Sequence, residues 1–157
     1  MRVLFVCTGN TCRSPMAEGI MRKLAAERGL EVEVRSAGVA ASPGVPMSRH
    51  AEAVLRDKGI ADRISSTPLH PELVEWADLI LALTEGHKRH IRSSFPKAMD
   101  KVYTLKEYVG DAKDDGLGML MGAYDISDPY GGSREDYDRT AAEIAAALDK
   151  LLNKLDR

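Results

Sequence analysis

Cys7 and Arg13 bracket five residues, Thr8, Gly9, Asn10, Thr11 and Cys12, and Ser14 and Pro15 follow at once. A thiol and a guanidinium at the two ends of one short loop suit attack on a tetrahedral oxyanion. The sulfur is the nucleophile, and the guanidinium forks two parallel hydrogen bonds onto phosphate oxygens, a geometry that lysine lacks. Backbone N–H groups of a loop that runs into a helix converge on the same anion. Gly9 is expected to let the loop turn tightly, and the positive surroundings favour thiolate over thiol. An isolated C-x5-R means little, because a cysteine is often core and an arginine often surface. Here the motif lies between a strand and a helix, the context it requires.

Chemistry through a phosphocysteine also needs an acid for the leaving group and a base for water. Asp128, in "DISDPYGGS" (125–133), is the candidate. Pro129 stiffens its loop, while Gly131 and Gly132 let the loop fold over a cleft. Asp-Pro also opens ordinary turns. Asp125 is a second candidate, with orientation of the loop as its alternative role.

The elements that position these groups follow from periodicity. Residues 2–7 (RVLFVC) form a short β-branched and aromatic run, read as a buried strand with Cys7 at its carboxyl end. A helix follows from Ser14 as N-cap and Pro15 as its first residue to Gly29, with Met16, Ile20, Met21 and Leu24 on one face and Glu18 and Arg22 off it. Glu31–Ser36 alternates as a strand. A helix from Ser48 to Gly59 turns Ala51, Val54 and Leu55 inward. Leu79–Leu83 is apolar enough for a strand covered on both faces, and Lys101–Leu105 is a fourth strand. Ser133 caps the last helix, whose buried stripe is Tyr137, Ile144, Leu148, Leu151, Leu152 and Leu155. Gly110–Gly132 is a long glycine- and aspartate-rich connection, a kind that usually serves function. Strands alternating with helices predict an α/β fold of three layers, a four-stranded parallel sheet with helices on both faces. Ligands of such sheets sit outside the carboxyl ends of the strands, where Cys7 lies.

The chain of 157 residues is expected to form one domain over 1–157, and its net charge of −2 suggests neither nucleic acid nor a membrane surface as partner. No apolar run reaches the roughly 20 residues of a membrane span. Val3–Val6 is too short for a signal peptide, so a cytoplasmic location is expected, and two cysteines there mean chemistry or burial. His87 and His90 share a helix face, but without a third ligand the segment "HKRHIR" (87–92) reads as an exposed basic helix, and no metal is expected. His50 and His70 have no evident partner. Trp76, beside Leu73 and Val74, reads as core packing.

"VLFVCTGNTCRSPMAE" (3–18) and "DPYGG" (128–132), in that order and separation, resemble the low-molecular-weight protein phosphatase family over essentially the whole chain. That resemblance implies a four-stranded parallel sheet of the flavodoxin-like kind flanked by helices. It makes Cys7 the nucleophile, Arg13 the phosphate clamp, and Asp128 the general acid and then base. Thr8, Gly9, Asn10, Thr11, Cys12 and Ser14 would form the phosphate loop, with Asn10 and Ser14 holding its shape and stabilising the thiolate. Tyr130 would wall the pocket mouth. No cofactor is implied; the partners are phosphorylated proteins, and the product is inorganic phosphate.

Two departures resemble the protein-arginine phosphatase branch. Members acting on phosphotyrosine usually carry isoleucine where this chain has Thr11, and an aromatic residue in the loop here reading "AGVAASPGVPM" (37–47), which has none. "ALTEGHK" (82–88) resembles the same branch. A threonine hydroxyl can accept a guanidinium N–H, and a site built to hydrogen-bond its substrate discriminates strongly. Alternatively, Thr11 caps a backbone group. Tyr130 stands where that branch is expected to carry phenylalanine, which keeps phosphotyrosine open as the alternative substrate. Cys12 either traps an oxidised Cys7 as a disulfide or simply packs the loop.

Three other functions fit less well. "TGNT" (8–11) resembles a flavodoxin phosphate loop, but Val6 stands where that motif wants a hydroxyl residue. A thioredoxin-coupled arsenate reductase would need further cysteines toward the C-terminus. A phosphoprotein-binding module would not need nucleophile, arginine and acid together.

Overall fold

The computed structural model describes residues 1–110 and 122–156. In chain order come β1 (Arg2–Cys7), α1 (Arg13–Glu27), β2 (Glu33–Gly38), α2 (Arg49–Asp57), α3 (Pro71–Trp76), β3 (Leu79–Ala82) and α4 (Glu85–Ser94). A 3-10 turn (Pro96–Lys101), β4 (Val102–Thr104), α5 (Leu105–Val109) and α6 (Arg134–Leu155) follow. Of the long connection Gly110–Gly132, residues 111–121 lie outside the described residues.

All four strands are parallel, in the order β2-β1-β3-β4. The chain leaves β1 to one side for β2, then crosses to β3 on the other. The crossovers therefore diverge at the carboxyl ends of β1 and β3 and leave a crevice there. Leu83 N–H donates to Val6 O at 2.9 Å, which keeps those two ends level.

Alternation along β1 divides the core. Val3, Phe5 and Cys7 face a layer built from α1, α2 and α6, including Met16, Leu55, Ile144 and Leu148. Leu4 and Val6 face Leu73 and Val74 of α3 and Ile91 of α4. Helices thus cover both faces, giving the expected three-layer α/β arrangement. Each fully buried side chain of that size contributes about 1.5–3 kcal/mol by leaving water. In α6, Ser133 and Asp136 form a reciprocal capping box, and Tyr137, Ile144, Leu148, Leu151 and Leu152 are buried. Leu155 is half-buried at the end of that stripe. In α2, Ser48 caps and Ala51, Val54 and Leu55 point inward as expected.

Several local expectations change, and β3 ends at Ala82 rather than Leu83. β2 runs Glu33–Gly38 rather than 31–36, because its ladder is set by β1: Arg2 pairs with Glu33 and Cys7 with Gly38. β4 stops at Thr104, whose side chain caps α5 in a box with Glu107. The helix after the loop begins at Arg13 with Cys12 at its N-cap, so Ser14 is not the cap. α4 is not simply exposed, since His87 and Lys88 are buried, Lys88 by a 2.7 Å pair to Glu107. α3, with His70 as N-cap and Pro71 in its first turn, was not foreseen. Trp76 is half-buried beneath the Arg35 guanidinium, 4.5 Å from the ring centre.

Candidate active site

The loop from Cys7 to Arg13 hangs from its neighbours by its carbonyl groups. Val39 N–H donates to Cys7 O and Ala40 N–H to Thr8 O, both at 2.9 Å. Ser48 N–H donates to Thr11 O at 2.9 Å, and Met16 N–H to Cys12 O at 3.2 Å. In a planar trans peptide the N–H points opposite to its own C=O. The N–H groups of Thr8, Gly9, Cys12 and Arg13 therefore point away from those anchors, and all four residues line one cavity. Gly38 makes the close approach possible: a Cβ there would stand 2.4 Å from Thr8 O and 2.9 Å from Asn10 N. The left-handed residue of the turn is Asn10, at φ 57°, not Gly9. A Cβ on Gly9 would meet nothing nearer than Thr11 Oγ1 at 3.7 Å, so its tight-turn role is corrected.

Beneath the loop runs a chain of hydrogen bonds that starts at the Thr67 N–H. Thr67 N–H can only donate, and it reaches Asn10 Oδ1 at 2.9 Å. The Asn10 Nδ2 end therefore donates, to Ser14 Oγ at 2.7 Å and Ser36 Oγ at 2.9 Å. Each hydroxyl accepts from Asn10 and keeps its own proton to donate elsewhere. Ser36 donates to Glu18 Oε1 at 2.6 Å, and Ser14 Oγ lies 2.8 Å from Cys7 Sγ, where the hydroxyl is the donor whenever the sulfur is a thiolate. A sulfur that receives a hydrogen bond is stabilised as the anion. Asn10 and Ser14 are fully buried, so water does not compete. Glu18, expected off the buried face of α1, is buried too. Burial pushes its carboxyl above the ordinary value, opposed by the Ser36 hydrogen bond and the Arg22 ion pair.

Arg13 is buried, with Nη1 donating to Ile126 O at 3.0 Å and Nη2 standing 3.6 Å from Asp128 Oδ2. The strap carrying Asp128 is tied down at the crevice. Ile126 N–H donates to Leu83 O, and Asp125 Oδ1 accepts Glu85 N–H at the start of α4, both at 2.8 Å. Asp125 is thus engaged as an anchor of the strap. Asp128 Oδ1 accepts Tyr130 N–H at 3.1 Å, which turns the chain so that Tyr130 stands out at 79% exposure.

Cys7, Thr8, Gly9, Thr11, Cys12, Arg13, Asp128 and Tyr130 together line a cavity of about 210 Å³. The structure thus brings every expected site residue to one place, with Asn10 and Ser14 just beneath the surface. Cys7 and Cys12 are both free thiols. Cys12 Sγ lies 3.3 Å from the Tyr137 hydroxyl, and 3.7 Å from both Thr11 Oγ1 and Ser48 Oγ. Burial pushes the Tyr137 hydroxyl above its ordinary range. His50 packs against Tyr137 with the rings tilted at 55° and their centres 5.3 Å apart, and His70 caps α3.

Ser36 and Thr67 hydrogen-bond Asn10, His87 meets Thr8 and Glu18 meets Ser36; none of the four was foreseen. Nothing local marks Ser36 or Thr67, whose roles arise from packing across the sheet edge. His87 Nε2 lies 2.8 Å from Thr8 Oγ1. Among the described residues, no group of three or more His, Cys, Asp or Glu could hold a metal ion, and no helix is long and apolar enough to cross a membrane.

Comparison with known proteins agrees with this geometry. The profile of the low molecular weight phosphotyrosine protein phosphatase family matches residues 2–157. A protein-arginine-phosphatase of Bacillus subtilis (strain 168) is 46% identical over 157 residues, which are 100% of this chain and 98% of that protein. The low molecular weight protein-tyrosine-phosphatase PtpB of Staphylococcus aureus is 34% identical over 154 residues, 96% of each chain. A solved structure of the YwlE arginine phosphatase, a mutant with a phosphorylated active-site serine, superposes with a TM-score of 0.91 at 45% identity. It covers 100% of this chain and 97% of that one.

Proposed function

The chain belongs to the low-molecular-weight phosphotyrosine protein phosphatase family, and on that premise we propose that it hydrolyses phosphoarginine in proteins through a phosphocysteine at Cys7. The Cys7 thiolate, held by the Ser14 hydroxyl, attacks phosphorus in line with the scissile P–N bond. As the S–P bond forms, the P–N bond breaks, and Asp128 gives its proton to the departing guanidine nitrogen. Arg13 and the loop N–H groups hold the three equatorial oxygens while their charge redistributes. The Asp128 carboxylate then takes a proton from water, which attacks phosphorus, releases inorganic phosphate and restores the thiolate. All of these groups belong to the protein chain. The reading places the enzyme in the cytosol, acting on phosphorylated proteins as one domain.

The observation that carries the phosphoarginine reading is that Thr11 and Asp128 both line the cavity. Both accept hydrogen bonds, and a guanidinium presents N–H donors in a planar fork. Among the described residues, the loop 37–47 contributes nothing to the cavity lining, and Tyr130 is the one aromatic residue there. The resemblance to named arginine phosphatases over the whole chain supports the same reading. Phosphotyrosine is the second reading, favoured by the exposed Tyr130 ring at the mouth.

Peptides of matched sequence carrying phosphoarginine or phosphotyrosine separate the two readings. The expected kcat/KM is at least tenfold higher on phosphoarginine, a difference of about 1.4 kcal/mol. Thr11→Ile should collapse that ratio. Equal or faster turnover of phosphotyrosine would assign the site to that substrate instead.

A further inference from the structure

Thr8, the first residue after Cys7 in the phosphate loop, is gripped from two sides. On the β2 side, Ala40 N–H holds Thr8 O at 2.9 Å. On the other side the grip comes from α4, where His87 Nε2 meets Thr8 Oγ1 at 2.8 Å. His87 is itself fixed: its N–H donates to the Thr84 cap at 3.1 Å, and its ring is buried. The ring holds a second polar atom, Nδ1, that is buried with no hydrogen-bond partner among the described residues. An apolar side chain would fill the same space without an unpaired nitrogen, so the fold carries a local cost at this position. Costs of that kind gather where a site requires them.

We propose that His87 is a positioning residue of the phosphatase reaction, holding Thr8 so that the first N–H groups of the loop stay aimed at the bound phosphoryl group. The inference rests on the phosphatase reading of the cavity. It follows from topology: α4 starts at the carboxyl end of β3, across the crevice from Cys7, so its first turn reaches the loop. The same turn receives Asp125, whose carboxylate accepts the Glu85 N–H, so the grip on Thr8 and the anchor of the Asp128 strap share one helix end.

The surroundings keep the ring neutral. Burial lowers the His87 pKa to about 4 from 6.5, and the Arg13 guanidinium of α1 and His90 of α4 push the same way. Asp125 and Asp128 of the strap oppose them. A neutral imidazole does not compete with Arg13 for the anion. By linkage, an oxyanion bound beside Arg13 should raise the His87 pKa.

The test is a double-mutant cycle of His87→Leu and Thr8→Val, with His87→Gln as conservative variant, assayed on p-nitrophenyl phosphate and for inhibition by inorganic phosphate. His87→Leu should lower kcat/KM and weaken phosphate inhibition by about tenfold or more, as misplaced binding groups do. Its melting temperature should not fall. Thr8→Val should add less than about threefold in that background, and His87→Gln, whose amide reaches where Nε2 lies, should recover most of the loss. Unchanged kcat/KM in folded His87→Leu, or losses that multiply fully, would overturn the inference. Should His87→Leu not fold, nuclear magnetic resonance of the native enzyme decides. The His87 titration should lie near 4 and rise with saturating phosphate; a midpoint near 6.5 that ignores phosphate overturns it. Failure of the native enzyme to hydrolyse any phosphoryl substrate would sink the functional reading instead, so the two failures are distinct.

Discussion

Asn10→Asp changes the chemistry of one side-chain atom and keeps the outline. Aspartate tolerates the left-handed backbone at φ 57° as asparagine does. Its second oxygen takes the place of Nδ2, and a carboxylate accepts hydrogen bonds without donating. Ser14 Oγ at 2.7 Å and Ser36 Oγ at 2.9 Å must then turn their protons toward residue 10. Ser14 has one proton, so a thiolate at Cys7 Sγ, 2.8 Å away, loses its donor. A hydrogen bond to a charged group contributes about 1.5–3 kcal/mol, and each 1.36 kcal/mol is tenfold in rate. The expected loss in kcat/KM on p-nitrophenyl phosphate at neutral pH is therefore about 10- to 150-fold. Ser14→Ala removes the same donor, so the double variant should fall at most about threefold below Asn10→Asp. Circular dichroism confirms the fold of each variant. If folded Asn10→Asp keeps kcat/KM within twofold of the native enzyme, the direction assigned to the hydrogen-bond chain is wrong.

Other perturbations test the supports of the site. Gly38→Ala puts a methyl group 2.4 Å from Thr8 O, and backbone on both sides leaves little room to yield. It should cost about 1–3 kcal/mol or more, read as a fall in melting temperature, while Gly9→Ala leaves that temperature nearly unchanged. Burial holds the Glu18 carboxyl above its ordinary value of 4.5, so the stability that its proton contributes is present below 4.5 and is lost as pH rises through the folded-state value. The unfolding free energy of the native protein minus that of Glu18→Gln should therefore decline with rising pH in urea titrations; an increase contradicts the assignment. After mild peroxide converts Cys7 to a sulfenic acid, the Cys12 thiol can displace water to form a disulfide that dithiothreitol reverses. Cys12→Ser should recover less activity than the native enzyme, and equal recovery reduces Cys12 to loop packing.

What could be read from the chain was what local chemistry dictates. Cys7 at the end of an apolar run, Arg13 at a helix start and Asp128 before Pro129 announce themselves by type and spacing. Helices with strong stripes, such as that of Ile144, Leu148 and Leu151, do so by period. What escaped depends on contacts across the sheet. Ser36 and Thr67 are ordinary residues until β2 and the segment after α2 bring them to Asn10. Glu18 looks like a surface charge in the pattern of α1 and becomes buried because β2 supplies Ser36 to meet it. His87 lies in a basic run that composition assigns to solvent, yet the crevice between β1 and β3 draws the first turn of α4 inward. Ser14 shows the same limit, since its hydroxyl fits an N-cap but is taken by Cys7 and Asn10. Thr104 and Glu107 stand at capping-box spacing, a local signal that the strand reading of Lys101–Leu105 does not use.

Rapid-quench mass spectrometry of the enzyme during turnover of a phosphoarginine peptide bears most directly on the mechanism. The expected result is a transient phosphoryl group on the sulfur of Cys7, formed and lost at rates compatible with kcat and absent from Cys7→Ala. Steady turnover with no phosphoryl group on that sulfur, or with one on another residue, would contradict it.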